Sequence, residues 1–341
     1  MSPIVTPFTG QADEWDGFVR SQPGWTHFHL FGWKPLMVEV FGHDCPYLVA
    51  RETDGTISGV LPLVRVRSAL FGHYLVSMPY LNYGGPLGST EAVRALATAV
   101  EAMARSGSVK LAELRSRQPL AIDLPVSHRK ITVVLDLPAE TAALSKALGS
   151  KLRSQIKRPE KEGVTVAFGP DQVEPFFAVF AHHMRDLGTP TQPLALFAAI
   201  QRTFPDDAWF GCAYYQGKPI AAGAGFRWNS EFEMTWASAL SEYNKLSPNM
   251  LLYWAFMQRA VDAGLGLFNF GRCSIGGGTH RFKSQWGSRD EQLWWYQVAD
   301  TPEAATPSPD AGAYSWGPRI WKRLPLAVAT TIGPHLVRGI P

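Results

Sequence analysis

The first part of the chain alternates short apolar, β-branched runs with tight turns, which is the pattern of a β-meander. The pair Asp54-Gly55 lies between two of these runs and is a strong hairpin signal. Apolar residues at helical spacing from Glu91 to Arg105 end before Gly107, which predicts a helix with a glycine after its last turn. The predicted strands are residues 46–51, 57–66, 74–78, 109–114 and 131–137.

The second part repeats this order of elements on a larger scale. It predicts helices at 150–162, 172–186, 194–202 and 248–263, and strands at 164–168, 209–215, 218–228, 231–239, 267–270 and 293–298. The repeated order indicates two copies of one α/β unit, although no residue-level repeat is visible. We therefore predict an α/β (α+β) chain with two domains, residues 1–140 and 141–298, each a mixed, mostly antiparallel sheet flanked by helices.

Two segments follow the predicted second domain. Residues 299–313 are rich in Pro, Ala and Thr, which predicts a flexible linker. Residues 314–341 form an apolar and aromatic tail with several basic side chains. This tail either docks on the domain or makes a peripheral membrane contact. Pro325 and Pro334 favour docking, because they interrupt any long helix lying on a membrane.

Length and composition suit a folded two-domain protein. The 341 residues are 46% hydrophobic and 18% charged, which is ample for packed cores. A formal net charge of +3 is too small to indicate a broad nucleic-acid-binding surface. The three cysteines have no metal-binding spacing, and the chain shows neither a signal-peptide pattern nor a membrane-spanning run. We expect a cytoplasmic protein without a metal, or one at the inner face of the membrane.

The strongest candidate for an anion site is the start of the helix predicted at 248–263. Ser247 stands at the predicted N-cap and Pro248 at the first helical position. The exposed N–H groups of a helix start can hold a phosphate or a carboxylate, and Asn244 and Asn249 add polar side chains there. The alternative is an ordinary capped helix, which this segment alone favours.

A second candidate lies in the segment 267–287. A buried strand ends at Gly271-Arg272, three consecutive glycines follow, and Lys283 and Trp286 come next. Glycines allow the backbone to approach a ligand closely, and Arg272 and Lys283 offer contacts to anions. We predict that these two cations bind an anionic cofactor and that Trp286 contacts substrate.

Several stretches resemble one family. Phe270-Gly271-Arg272 and Phe282-Lys283-x-x-Trp286-Gly287 are similar to the C-terminal signature of FemAB-like and BioF2-like acyltransferases. The N-terminal half resembles FemAB-like proteins associated with PEP-CTERM sorting. The other matching stretches are His29-x-x-x-Trp33, Gly59-Val-Leu-Pro-Leu63, Ser77-x-Pro-Tyr-x-Asn-Tyr-Gly-Gly85, Lys151-Leu-Arg-x-Gln-Ile-Lys157 and Met184-Arg-Asp-Leu-Gly-Thr-Pro190.

The resemblance implies two GNAT-like domains and transfer of an acyl or aminoacyl group to an amine or hydroxyl in the cell envelope or in exopolysaccharide synthesis. GNAT enzymes hold the donor pyrophosphate at a glycine-containing loop, which 244–249 would replace without a glycine. The donor would be acyl-CoA or aminoacyl-tRNA, and the acceptor a small molecule or a lipid- or glycan-linked group. The modest charge and the lack of a coiled-coil arm favour an acyl thioester over tRNA. The missing glycine favours the alternative, a non-catalytic scaffold.

Candidates for the chemistry are few. Acyl transfer to an amine needs a base, a donor for the oxyanion and an acid for the leaving atom. We predict Asp186, Glu233 and Tyr253 for these roles, although each also suits a structural role as a helix-end, strand or core residue. Asn82 and Tyr83 precede two glycines and are predicted to contact substrate; their alternative role is in a turn.

The basic helix predicted at 150–162 offers one further contact for an anion. Arg153 and Lys157 lie one turn apart on it, which indicates either a solvated basic face or a phosphate contact. Pro159 predicts a kink or an early end of this helix.

Overall fold

The computed structural model describes residues 2–299 and 316–341. Within this range the chain forms two compact units. Unit 1 contains residues 2–130, 292–299 and 335–341, and unit 2 contains residues 131–291 and 316–334. The predicted linker 299–313 falls outside the described residues except for its first residue, which ends a strand.

Unit 1 is built on two sheets and three α-helices. The helices are α1 (Ala12–Ser21), α2 (Trp33–Phe41) and α3 (Thr90–Ser106). The strands are β1 (Ile4–Pro7), β2 (Leu48–Arg51), β3 (Ile57–Leu61), β4 (Leu63–Ser68), β5 (Gly72–Ser77), β6 (Leu87–Gly88), β7 (Leu111–Ser116), β8 (Val126–Ser127) and β16 (Trp294–Ala299). They form a four-stranded sheet β1-β2-β3-β6 and a five-stranded sheet β4-β5-β7-β16-β8.

The amphipathic helix α3 shows why this unit folds as predicted. Ser89 caps it by accepting a hydrogen bond from the N–H of Ala92 through its side chain, and Gly107 ends it. Its apolar face, which includes Leu96 and Val100, is fully buried against strand residues. The spacing of apolar residues therefore predicted both the helix and its buried face.

Unit 2 is built on one seven-stranded sheet. Its strands are β9 (Ile131–Asp136), β10 (Thr165–Phe168), β11 (Ala208–Tyr215), β12 (Lys218–Trp228), β13 (Glu231–Ala239), β14 (Leu267–Cys273) and β15 (Arg289–Gln292). Its helices are α4 (Thr141–Ala147), α5 (Ser150–Lys161), α6 (Val173–Leu187), α7 (Leu194–Thr203), α8 (Pro248–Asp262), α9 (Gly278–Ser284) and α10 (Trp316–Trp321). The last helix, α11 (Leu326–Val337), begins in unit 2 and ends in unit 1.

Helices cover both faces of this sheet. Alternate strand residues point to opposite faces, so Phe210 meets Phe176 of α6, whereas Phe232 meets Phe256 of α8. The strand order is β10-β11-β12-β13-β14-β9-β15. β13 and β14 are parallel, whereas the pairs β10–β11, β11–β12, β12–β13 and β14–β9 are antiparallel. The predicted class, a mixed and mostly antiparallel α/β fold flanked by helices, is confirmed.

Two strands join a different sheet from the one their sequence position suggested. β9 was predicted to close the first domain, but it pairs with β14 in the sheet of unit 2. β16 was predicted to close the second domain, but it pairs with β7 and β8 in unit 1. The domain division at 140/141 thus differs from the observed one, at 130/131 and 291/292. Strand pairing is a long-range interaction that local pattern does not encode.

The basic helix α5 continues past its proline. Pro159 lies inside the helix, which ends at Lys161, so the predicted early end is wrong. Pro159 falls in the last turn of α5. Its missing N–H removes one hydrogen bond there, and the helix ends two residues later. Its ring is buried together with Leu152 and Ile156, and this packing holds the turn in place.

The described part of the C-terminal tail packs on α6. The Arg185 guanidinium donates to the carbonyl of Leu324, and Gly188 lies against Pro318. In the described residues, no helix is long and apolar enough to cross a membrane.

Candidate functional site

The central strands of unit 2 separate part-way along their length. β13 and β14 pair in parallel at only three positions, the last of which joins Glu233 to Asn269. Just beyond this point β13 carries a bulge: Met234 pairs with Gly225 and Trp236 with Ala224, so Thr235 has no partner on β12. A bulge re-aims side chains and is frequent beside active sites. Two buried polar residues, Glu233 and Asn269, lie where the strands diverge.

Asn269 organises a buried polar network at this point. Its side-chain N–H groups donate to Glu231 at 2.8 Å and to Glu233 at 3.2 Å. Its carbonyl oxygen accepts from the Thr132 hydroxyl at 2.6 Å and from the Gly271 N–H at 2.8 Å. Asn269, Glu233 and Thr132 are all fully buried. Buried polar groups are costly unless paired, and this network pairs them.

Lys283 lies beside the network and is almost completely buried, at 3% exposure. Its Nζ donates to the carbonyls of Gly271 at 2.7 Å and Arg272 at 3.1 Å. Gly271 reaches this arrangement with a left-handed φ of 74°, beside an irregular pairing of β14 with β9. Burial lowers the pKa of Lys283 to about 8. The negative charge of nearby Glu233 acts in the opposite direction and raises this pKa, but its effect is smaller.

The start of α8 differs from the predicted capped helix. Ser247 does stand at the N-cap, as predicted, but it has a left-handed φ of 55° and its side chain caps no N–H group. Ser247 is the one residue between the 3-10 helix at Ser241–Leu246 and α8. Pro248 does occupy the first helical position. The Oδ1 atom of Asn249 is buried and has no hydrogen-bond partner.

The two segments that the sequence singled out lie side by side. Gln285, next after α9, contacts the sulfur of Met250 through its side-chain amide, 3.8 Å away. The ring centroids of Tyr253 and Phe282 are 5.0 Å apart. The start of α8 and the segment 271–285 are therefore neighbours, which the donor-binding hypothesis required.

Two predicted site residues of this unit are part of the core. Tyr253 stacks on Phe270, and burial raises the pKa of its phenol well above the ordinary value. It therefore stays protonated at neutral pH, which suits both an acid and a core residue. Trp286 is only 2% exposed, and its indole N–H has no partner. A direct substrate contact by Trp286 needs a rearrangement.

Asp186 stands at the end of α6, where it accepts a hydrogen bond from Arg185 Nε at 2.7 Å. The His182 ring lies 3.7 Å from it. Its carboxylate is about one-third exposed, at 36%. Asp186 is thus held in a surface cluster with Arg185 and His182.

The predicted substrate residues of unit 1 lie in or beside a small cavity of about 170 Å³. Tyr83 and the glycines after it line the cavity, together with His29 and Arg117. The Arg117 guanidinium lies 5.8 Å from the centre of the Tyr83 ring. Asn82 is buried next to Tyr83 in the chain.

Sequence reasoning missed the residues that organise the site. Asn269 was read as part of an apolar strand, and Thr132 and Thr235 were not considered. A usable signal existed, since Asn269 is a polar residue between Phe268 and Phe270 in a strand predicted to be buried. Among the described residues, no group of His, Cys, Asp and Glu side chains could hold a metal ion.

Comparison with known proteins agrees with this geometry. Residues 147–284 match the acetyltransferase (GNAT) domain family model. The match covers the part of unit 2 from α5 to α9, including the strands β10 to β14. No curated protein matches the sequence.

Two solved structures share the fold of nearly the whole chain. One is FemX, with a TM-score of 0.63, 14% identity, and coverage of 86% of this chain and 97% of FemX. The other is L-PGS from Bacillus licheniformis, with a TM-score of 0.56, 11% identity, and coverage of 94% of this chain and 98% of L-PGS. At this level of identity the similarity shows the fold alone.

Proposed function

We propose that the chain is a FemAB-like transferase, which moves an acyl or aminoacyl group from an activated carrier to an amine or hydroxyl acceptor. The match of residues 147–284 to a GNAT domain supports the reaction class. One observation carries the proposal: Lys283 is buried at the divergence of β13 and β14, with its ammonium group anchored to two backbone carbonyls. A buried cation held in this way is rare outside functional sites.

The geometry suggests a role for Lys283 in the transfer step. An ammonium group has three N–H donors, and the carbonyls of Gly271 and Arg272 take two of them. We assign the third to the oxygen of the reacting carbonyl. When the acceptor attacks the carbonyl carbon, negative charge develops on this oxygen, and a fixed cation in a buried site stabilises that charge. Collapse of the intermediate then breaks the bond to the carrier, which leaves as a thiolate, or as a ribose hydroxyl after its oxygen receives the proton that the base took from the acceptor.

Glu233 is our candidate for the group that takes the acceptor proton. Its two oxygens accept from Thr235 at 3.4 Å and Asn269 at 3.2 Å, which fixes the carboxylate in one orientation. An amine acceptor must lose a proton during attack, so a carboxylate beside the reacting carbonyl supplies the base. Asp186 stays as the alternative candidate for this base, and Tyr253 stays as a candidate for the acid that protonates the leaving atom.

The start of α8 is our candidate for holding the donor carrier. Its backbone offers fewer amides than a glycine loop, since Pro248 has no N–H and the Met250 N–H already donates to Ser247. Contacts to phosphate would therefore depend on the side chains of Asn244, Ser247 and Asn249. We favour an acyl-CoA donor over aminoacyl-tRNA, and a lipid- or glycan-linked acceptor in envelope or PEP-CTERM-associated exopolysaccharide synthesis at the cytoplasmic face of the membrane.

Donor trapping tests the proposal. The purified protein is analysed by mass spectrometry for co-purifying ligands and then incubated with acyl-CoA thioesters or aminoacyl-tRNA and a panel of amino sugars and amines. We expect carrier release that depends on the acceptor, and a loss of at least a hundredfold in Lys283→Met, about 2.7 kcal/mol or more of transition-state stabilisation. Lys146→Met, the same change at an exposed lysine of α4, serves as the control.

The outcomes separate the candidate functions. Full activity in Lys283→Met would remove Lys283 from the mechanism. Absence of any bound donor or transfer, in a folded protein, would instead support the scaffold function that the glycine-free loop favours.

A further inference from the structure

The glycine-rich loop 274–277 connects the two elements that bury Lys283. It leaves β14, whose last residues supply the carbonyls that hold Lys283, and it enters α9, which carries Lys283. Gly276 has a left-handed φ of 79°, and the side chain of Ile275 is 64% exposed. Apolar packing of Ile275 therefore contributes little to holding the loop.

His280 ties this loop to the neighbouring strand. Its Nδ1 accepts a hydrogen bond from the Gly276 N–H at 3.1 Å. Because Nδ1 is an acceptor, the proton of the neutral ring is on Nε2, which donates to the Asp290 carboxylate at 2.9 Å. One imidazole thus bridges the loop to β15. The side chain of His280 is 16% exposed and that of Asp290 is 42% exposed, so the bridge lies near the surface of the unit.

Burial of Lys283 separates its ammonium group from a donor, and opening of the His280 bridge would give the donor access. At 3% exposure the ammonium group cannot reach a donor carbonyl unless a neighbouring segment moves. The loop 274–277 is the best-suited segment, since its two glycines, Gly276 and Gly277, give it conformational freedom, and it joins the strand that holds Lys283 to the helix that carries Lys283.

We propose that His280 is a positioning residue which holds the loop 274–277 closed beside Lys283, and that release of the Gly276–His280–Asp290 bridge admits the acyl donor. That opening of the latch admits an acyl donor rests on the proposed function. The latch itself is a property of the loop and can be measured without any substrate.

Lysine labelling measures the latch directly. The full-length protein is methylated with formaldehyde and a borane reductant, and the rate at Lys283 is followed by peptide mass spectrometry. In the wild type Lys283 should react slowly, because it is buried. In His280→Ala we expect its rate to rise at least tenfold, with Lys146 as an exposed reference within the same molecule and His73→Ala, a change at an exposed histidine of β5, as the matched control.

Two conservative variants identify the hydrogen bond that matters. In His280→Asn the amide oxygen takes the place of Nδ1 and can still accept from Gly276. In His280→Gln the amide nitrogen takes the place of Nε2 and can still donate to Asp290. We expect His280→Asn to restore most of the protection of Lys283, because the bond to Gly276 holds the loop itself, and His280→Gln to restore less.

Three results would overturn the latch: equal protection of Lys283 in the wild type and His280→Ala, failure of both amide variants to restore protection, or a rise in labelling across the unit with a lower melting temperature. The last would make His280 a residue of the fold. Faster labelling of Lys283 without transfer from any tested donor would leave the latch standing and reject the proposed function alone.

Discussion

Lys283 shows how one buried charge couples the site to pH. In the unfolded chain its pKa is near the ordinary 10.5, and in the folded protein burial lowers it to about 8. Between these values the unfolded state binds more protons than the folded state, so the contribution of this group to stability rises with pH.

We therefore expect the free energy of unfolding of the wild type, relative to Lys283→Met, to increase between about pH 8 and 10.5. At pH 9.5 the gain should be roughly 2 kcal/mol, on the basis of about 1.4 kcal/mol per pKa unit. Urea unfolding of both proteins at several pH values measures it. A constant difference across this range would show that Lys283 is not buried as the structure has it.

Asn269 is the residue on which the polar network depends. In the wild type the carboxylates of Glu231 and Glu233 both accept hydrogen bonds from the Asn269 amide, and truncation to Ala removes both bonds. It also removes the amide oxygen to which the Thr132 hydroxyl donates. We expect Asn269→Ala to lower the free energy of unfolding by roughly 2–4 kcal/mol, since buried polar groups then lose their partner. Asn244→Ala, the same truncation at an exposed position, should change it by less than about 0.5 kcal/mol. Equal effects of the two changes would contradict the network.

At the scale of elements, the bulge in β13 depends on a glycine in the partner strand. A Cβ on Gly225 would lie 1.9 Å from the carbonyl oxygen of Glu233, closer than any real contact. Backbone atoms cannot rotate away as a flexible side chain can. The pairing that places Glu233 and Thr235 at the strand divergence thus requires glycine at this position.

We expect Gly225→Ala to destabilise the protein by at least about 2 kcal/mol in urea unfolding, because the strands must separate to relieve the clash. Gly149→Ala is the matched control, since a Cβ there meets nothing within 4 Å. Acyl transfer by Gly225→Ala at low temperature should also fall, as Glu233 shifts. Wild-type stability in this variant would mean that the bulge adapts freely.

The prediction of helices and strands succeeded where the residues within an element determine its conformation. It failed where the surrounding segments determine that conformation. The spacing of apolar residues predicted α3 and its glycine end, and the tight turn at Asp54-Gly55 joins β2 to β3. At Ser247, between a 3-10 helix and α8, the backbone is left-handed and the side chain makes no capping bond. Pro159 was tolerated because its helix had nearly ended.

At the scale of the whole molecule, buried neutral histidines make unit 1 sensitive to acid. His29 is fully buried: it accepts from the Thr26 N–H and donates to the Gly85 carbonyl. Burial lowers its pKa to about 4, so the unfolded chain, with an ordinary value of 6.5, binds the proton more readily. Stability is therefore lost as pH falls from about 6.5 to 4.

We expect this loss to reach about 2 kcal/mol by pH 5 for His29, at about 1.4 kcal/mol per pKa unit. In His29→Gln the stability should be lower at neutral pH but should fall less steeply with acid. Chemical denaturation at pH 7.5, 6 and 5 compares the two slopes. If the free energy of unfolding fell equally steeply with pH in both proteins, protonation of His29 would not be the cause of the loss of stability in acid.

The sequence by itself determined the class of fold, most helices and strands, and the two segments that form the candidate site, because apolar periodicity, turn residues and short motifs are local properties. Only the tertiary structure decided which sheet β9 and β16 join, that Lys283 is buried, and that Asn269 organises the site. These depend on contacts such as that between Thr132 and Asn269, 137 residues apart in the chain. A pairing at that distance is selected by the competition of whole strands for the sheet, which local pattern does not record.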